Sequence, residues 1–162
     1  MRKHLRRFAL AVLLTPAAIG AATMIASPAE AAVKVSEQSL QTEINRLVNI
    51  QRTTHGCAKV TVNAQLTAAA RSHSAWMAQT GKFSHTGRAG SNFVVRAKTA
   101  GFAKPSSENI AWGYRSAAQV VDGWMKSPGH RTNILNCKSK TVGVGAVYGP
   151  NGTPYYTQDF GY

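Results

Sequence analysis

Apolar residues recur at helical spacing from Ser36 onward, where Leu40, Ile44, Leu47 and Val48 share one face and Ser36 stands ready to cap a turn opened by Glu37. The pattern predicts a first helix there. A second is predicted from Asn63, with Leu66, Ala69, Ala70, His73, Trp76 and Met77 on one face and Gly81 as its stop. Residues 91–100 read as a shorter helix closed by Gly101. Ser116 opens another, carrying Val120, Val121 and Trp124, which Pro128-Gly129 halts. The period then changes to two. Val142, Val144, Ala146 and Tyr148 alternate along residues 141–148, Gly149-Pro150-Asn151-Gly152 is turn chemistry, and residues 155–160 return as the second arm of a hairpin. Helices gathered early and strands late predict an α+β fold, with helices covering an antiparallel sheet.

The start of the chain is different in kind. Arg2, Lys3, Arg6 and Arg7 precede an apolar run from Phe8 to Ile25, and Ala29-Glu30-Ala31 follows as a small-residue cleavage site. Residues 1–31 therefore read as a secretory signal peptide, residues 32–39 as a short lead and residues 40–162 as one domain. Thr15, Pro16, Gly20 and Thr23 interrupt the apolar run and argue against a retained membrane anchor. The mature protein is expected to be secreted, extracellular and monomeric. Cys57 and Cys137, the only cysteines, then lie in an oxidising compartment and are expected to form a disulfide. Closing so long a loop stabilises by roughly 4 kcal/mol in the chain-entropy account.

The formal charge is +13, of which residues 1–31 hold a net +3, leaving +10 on the mature part. Export turns that balance away from nucleic acid and towards an extracellular lipid or cell-wall polymer. The basic residues, Arg52, Arg71 and Lys98 among them, are spread along the chain with no run of like charge, as solubilising surface residues are.

Three residues stand out for chemistry: His85 in Phe83-Ser84-His85-Thr86-Gly87, Glu108 in Ser107-Glu108-Asn109-Ile110, and His130 in Ser127-Pro128-Gly129-His130. Each sits in a turn-like context between predicted elements, where scaffolds place functional groups. Loop polar residues without a joint role are the equal alternative, since no local metal-binding signature is present. His73 lies on the apolar stripe of its helix and reads as a core residue, and His55, beside Gly56, as a loop residue. Trp76 and Trp124 read as core; for Trp112 in Ile110-Ala111-Trp112-Gly113-Tyr114 packing is the default reading, with a cleft wall that stacks on a sugar ring or lipid chain as the alternative. A serine nucleophile lacks the G-x-S-x-G elbow, and a glycosidase lacks a clear second carboxylate.

Four motifs occur in a particular order: Phe83-Ser84-His85-Thr86-Gly87, Glu108-Asn109-Ile110-Ala111, the run from Trp124 to Leu135 through Ser127-Pro128-Gly129-His130-Arg131, and Val142-Gly143-Val144-Gly145. In order and spacing the chain resembles bacterial members of the CAP superfamily, the cysteine-rich secretory and pathogenesis-related proteins with an SCP domain. The resemblance covers nearly all of residues 40–162. It implies an α-β-α sandwich and an extracellular location. It also implies a cleft with two histidines, here His85 and His130, that hold a divalent metal such as Zn2+ in several relatives, and with Glu108 as the first of two acids. The second acid of that pattern falls at Ser127, so one carboxylate is missing.

Two imidazoles make at most a weak, exchangeable zinc site, since catalytic zinc has three protein ligands. The leading expectation is a secreted binding protein whose cleft of His85, Glu108, Ser127 and His130 takes a lipid, sterol or cell-wall fragment, with zinc optional. No residue is assigned a catalytic role on this reading. The alternatives are a weak metal-dependent hydrolase with Glu108 as general base, and an extracellular scaffold that acts through its basic surface.

Overall fold

Each predicted helix is opened by a polar cap, as the computed structural model shows over the residues it describes, 34–162. The leader read at residues 1–31 lies outside them. Ser36 accepts a hydrogen bond from the Ser39 amide and opens α1 (Glu37–Thr54), which therefore begins inside the stretch read as a lead. Asn63 caps α2 (Ala64–Thr80), and Gly81, in the left-handed conformation, ends it. Asn92 caps α3 (Phe93–Thr99) and Ser116 caps α4 (Ala117–Lys126). Pro128 does halt α4, but it also serves as the first residue of α5 (Pro128–Ile134), because the position lacks an amide that a helix start would leave unpaired anyway.

The strands are β1 (Thr61–Val62), β2 (Pro105–Trp112), β3 (Thr141–Tyr148) and β4 (Pro154–Gly161), in sheet order β1-β3-β4-β2. The β3–β4 hairpin is as predicted. The sheet is not wholly antiparallel, since β1 runs parallel to β3. β2 escapes the alternation test because four consecutive residues, Glu108 to Ala111, are buried on both faces.

The register sorts the two faces. Val142, Val144 and Ala146 of β3 lie beside Phe160, Gln158 and Tyr156 of β4, and most of these residues pack with Leu40, Ile44 and Val48 of α1 and Val120, Val121 and Trp124 of α4 in the main core. The opposite face carries Gly143, Gly145, Thr157, Asp159 and, from β2, Glu108 and Ile110. α2 lies directly on it. A Cβ at Gly143 would overlap the backbone of Leu66 and Thr67, and one at Gly145 the backbone of Ala70 and Arg71. The two glycines let helix and sheet meet backbone to backbone. Gly145→Ala is therefore expected to lower stability by about 1–3 kcal/mol through overpacking, seen as a lower urea midpoint.

One charge expected at the surface is in the core. Arg52 has no exposed area, and its guanidinium donates to the carbonyls of Ala58 (2.9 Å), Ile134 (2.7 Å), Asn136 (3.0 Å) and Ser139 (3.1 Å). Those carbonyls flank the Cys57–Cys137 disulfide, which is formed as expected.

Candidate functional site

Glu108 is in a strand, not a loop. It sits inside β2, directly across from Asp159 of β4, on the face that α2 covers. Its side chain is 1% exposed and both oxygens are engaged. Oε2 accepts from Arg96 Nη2 of α3, and Oε1 from His85 Nδ1 at 2.8 Å. Arg96 thus holds Glu108 as a carboxylate. The carboxylate in turn fixes the hydrogen of His85 on Nδ1 and leaves Nε2 as the free lone pair, the arrangement by which a buried acid orients a histidine.

The loop that carries His85 is itself pinned. His73 of α2 is buried, as the sequence indicates, and its Nε2 donates to the Ser84 carbonyl at 2.9 Å. Arg96 Nη1 donates to the carbonyls of His85 (3.1 Å) and Ser91 (2.7 Å), and the Ser84 hydroxyl accepts from the Thr86 amide at 3.0 Å. His85 itself remains 59% exposed at the side chain.

His130 arrives from the other direction, on helix α5 rather than in a turn. Asn133 docks that helix onto β2 by donating to the Glu108 carbonyl (3.2 Å) and to Asn109 Oδ1 (2.8 Å). Asn109 Nδ2 donates to the His130 carbonyl (3.3 Å) and to Gln158 Oε1 (3.0 Å). His130 and Ser127 then line an open cleft of about 430 Å³, with Phe83, Trp112 and Tyr114 as its aromatic walls. Burial pushes the His130 imidazole below its ordinary pKa, so it is neutral at physiological pH. His85 and Glu108 do not line that cleft.

These donors do not make a catalytic zinc centre. Among the described residues no three of His, Cys, Asp and Glu converge as ligands, and Glu108 has no oxygen to spare. Outside the Glu108 contact, the histidines predicted for the site each keep one imidazole nitrogen, His85 through Nε2.

The comparisons follow this geometry. A family profile described as the cysteine-rich secretory protein family, CAP, matches residues 46–160. The chain belongs to the CAP family. Within it, the chain is 33% identical over 113 residues to the uncharacterised protein YkwD of Bacillus subtilis, covering 69% of this chain and 44% of that one. It is 30% identical over 128 residues to an uncharacterised membrane protein of the same organism, YlbC, covering 78% of this chain and 36% of that one. An extracellular SCP-domain protein of Bacillus anthracis superimposes with a TM-score of 0.71 at 30% identity, covering 77% of this chain and 41% of that one. The chain thus spans less than half the length of these three relatives. An outer surface protein of Borrelia burgdorferi has the same fold, at a TM-score of 0.71 and 16% identity, with coverage of 79% and 96%.

The CAP sandwich brings in one acid that sequence reasoning missed. Ser127 does stand where a second carboxylate was sought, and it lines the cleft. Asp159 supplies a carboxyl from the sheet instead, fully buried beside Glu108, and among the described residues no donor reaches either of its oxygens. Burial, then the neighbouring Glu108 charge, raise its pKa well above the ordinary aspartate value. Burial and the Glu108 charge thus both favour the protonated form of Asp159.

That state carries a pH signature. Between the ordinary pKa, about 4, and the raised folded value, the unfolded chain ionises this carboxyl while the folded chain does not, so its contribution to stability falls as pH rises across that window. Asp159→Asn is expected to melt higher than wild type at neutral pH, with the gap closing towards pH 4. A gap that does not change with pH in thermal unfolding contradicts the assignment.

Proposed function

We propose that this CAP domain is an extracellular binding module whose cleft takes a sugar ring of a cell-wall polymer. The observation that carries the reading is the aromatic wall. Trp112 is 55% exposed, Phe83 45% and Tyr114 37%, a concentration of open rings beside His130 and Ser127. Trp112 is flanked by Phe83 at 6.3 Å and by Tyr155 at 6.5 Å between ring centres, so its plane is supported. Flat, half-hydrated aromatic faces suit a pyranose, which stacks one apolar face while its hydroxyls stay in water. A fatty chain or sterol gains most where it is enclosed, and this cleft is open. Neutral His130 and the Ser127 hydroxyl are the hydrogen-bonding groups at hand. The extracellular relative at 30% identity supports the location, and the basic surface would draw anionic wall polymers to it.

Binding fits better than hydrolysis. Glu108, the one candidate base, is sealed from the cleft and neutralised by Arg96. A divalent cation held between His85 Nε2 and His130 would be exchangeable, and binding of the sugar does not depend on it.

Calorimetry with an N-acetylhexosamine oligosaccharide tests the reading. Each stacking face is worth about 0.5–1.5 kcal/mol, so Trp112→Ala is expected to weaken binding by up to about tenfold, with no product released. Equal affinity in Trp112→Ala overturns the proposed site. Product release that disappears in Glu108→Gln overturns the choice of binding over hydrolysis.

A further inference from the structure

One glycine stands where a helix least favours it. Gly123 lies inside α4, between Asp122 and Trp124 and well before the cap at Ser127, and its φ is not positive. Its conformation is one that any residue adopts, yet a glycine in a helix interior lowers the folding equilibrium about fivefold relative to alanine. What the glycine provides is room. A Cβ at position 123 would lie 2.7 Å from Tyr114 Cζ, and closer still to the Tyr114 hydroxyl oxygen. The three atoms nearest to that missing Cβ all belong to Tyr114, so the space serves this one side chain. The Tyr114 ring thus lies against the bare backbone of α4, and both residues line the cleft.

The backbone that carries Tyr114 is tied down on both sides. Gly113, at a φ of 81°, donates its amide to the Pro154 carbonyl at 2.9 Å. The hydroxyl of Tyr156, a fully buried residue, donates to the Tyr114 carbonyl at 2.6 Å, and the Arg115 amide donates to Gln119 Oε1 at 2.9 Å. A side chain at position 123 would therefore displace the ring rather than the loop, and the exposed ring has solvent to move into. Trp112 is supported separately, by Phe83 and Tyr155. Gly123 consequently acts on one wall of the cleft and not on the other.

We propose that Gly123 is a positioning residue for the cleft: having no side chain, it seats Tyr114 on α4, and that seat fixes a second aromatic wall for the sugar that stacks on Trp112. For its ligand this rests on the sugar-binding cleft proposed for the domain, whereas the seat is a property of the free protein. A ring that is already held in place loses no freedom when a ligand arrives, so more of its stacking energy appears as affinity. The helix keeps a poor helix former at position 123 and the cleft keeps a fixed wall.

Gly123→Ala, Tyr114→Ala and the double variant of the mature chain test this in two ways. In calorimetry with an N-acetylhexosamine oligosaccharide, Gly123→Ala is expected to weaken binding about two- to tenfold, and to have no further effect once Tyr114 is replaced. In urea unfolding without ligand, Gly123→Ala is expected to raise the folding equilibrium constant about fivefold in the Tyr114→Ala background, and to give a clearly smaller gain or a loss when Tyr114 is present. Should Gly123→Ala alone fail to fold, recovery of folding in the double variant supports the seat and no recovery overturns it. Unchanged binding in Gly123→Ala, where the wild type binds, overturns the proposal and leaves the sugar cleft standing. Equal weakening with and without Tyr114 overturns it as well, since Gly123 would then act on its own. If the wild type binds no oligosaccharide, the sugar cleft falls and the unfolding cycle decides the seat: an equal gain from Gly123→Ala in both backgrounds overturns it.

Discussion

Replacing Arg52 with methionine is expected to lower stability by about 3–5 kcal/mol, a large part of what a domain of this size has. Methionine fills a similar volume but returns nothing to the four carbonyls that the guanidinium satisfies. Ala58, Ile134, Asn136 and Ser139 would be left with unpaired acceptors around the Cys57–Cys137 bridge. Among the described residues Arg52 has no carboxylate partner, so its charge is solvated by peptide oxygens, and burial pushes its pKa down without removing the proton. Arg52→Lys should recover little, because an ammonium cannot reach acceptors spread along a guanidinium fork. Urea unfolding of the oxidised protein measures the loss; a change under 1 kcal/mol would show that the carbonyls find other partners.

Glu108→Ala carries the second large effect. It strands the guanidinium of Arg96, whose side chain is 9% exposed, without its counter-charge, and a cost of about 3–5 kcal/mol is expected. Arg96→Met added to Glu108→Ala should restore a good part of that loss, since the penalty lies in the unpaired partner more than in the missing bond. The same substitution releases His85, whose exposed ring then has no fixed tautomer. Single and double variants compared by denaturant midpoint separate these terms. Strict additivity would contradict the pairing.

The surface pattern of the chain carried the helices and the final hairpin because each announces itself locally. Ser36, Asn63 and Ser116 are caps that act over three residues, and Gly81 is a stop that acts on its own backbone. β2 is silent at that range: its buried stretch runs through Glu108 and Asn109, polar residues that only tertiary partners make affordable. Glu108 and His130 consequently looked like loop residues, although one belongs to a strand and the other to a helix.

The site was half legible for the same reason. His85, Glu108, Ser127 and His130 could be named from motifs, and the structure joins His85 to Glu108 and places Ser127 and His130 on one cleft. Asp159 and Arg96 could not be named, since each acquires its role from a partner far along the chain. Arg52 was counted with surface charge because a sequence shows how many basic residues there are, not which of them meet buried carbonyls. Asn109 and Asn133 lay within the quoted motifs, yet their work of docking α5 onto β2 appears only in three dimensions.

The most direct test of the account is an NMR titration of the mature protein with an N-acetylhexosamine oligosaccharide, following the Trp112 indole and the two imidazoles at once. The account predicts saturable shifts at Trp112 and His130, and a His85 ring that keeps its hydrogen on Nδ1 throughout. Shifts that bypass Trp112 and His130, or that vanish with added salt and leave no residual binding, would contradict it.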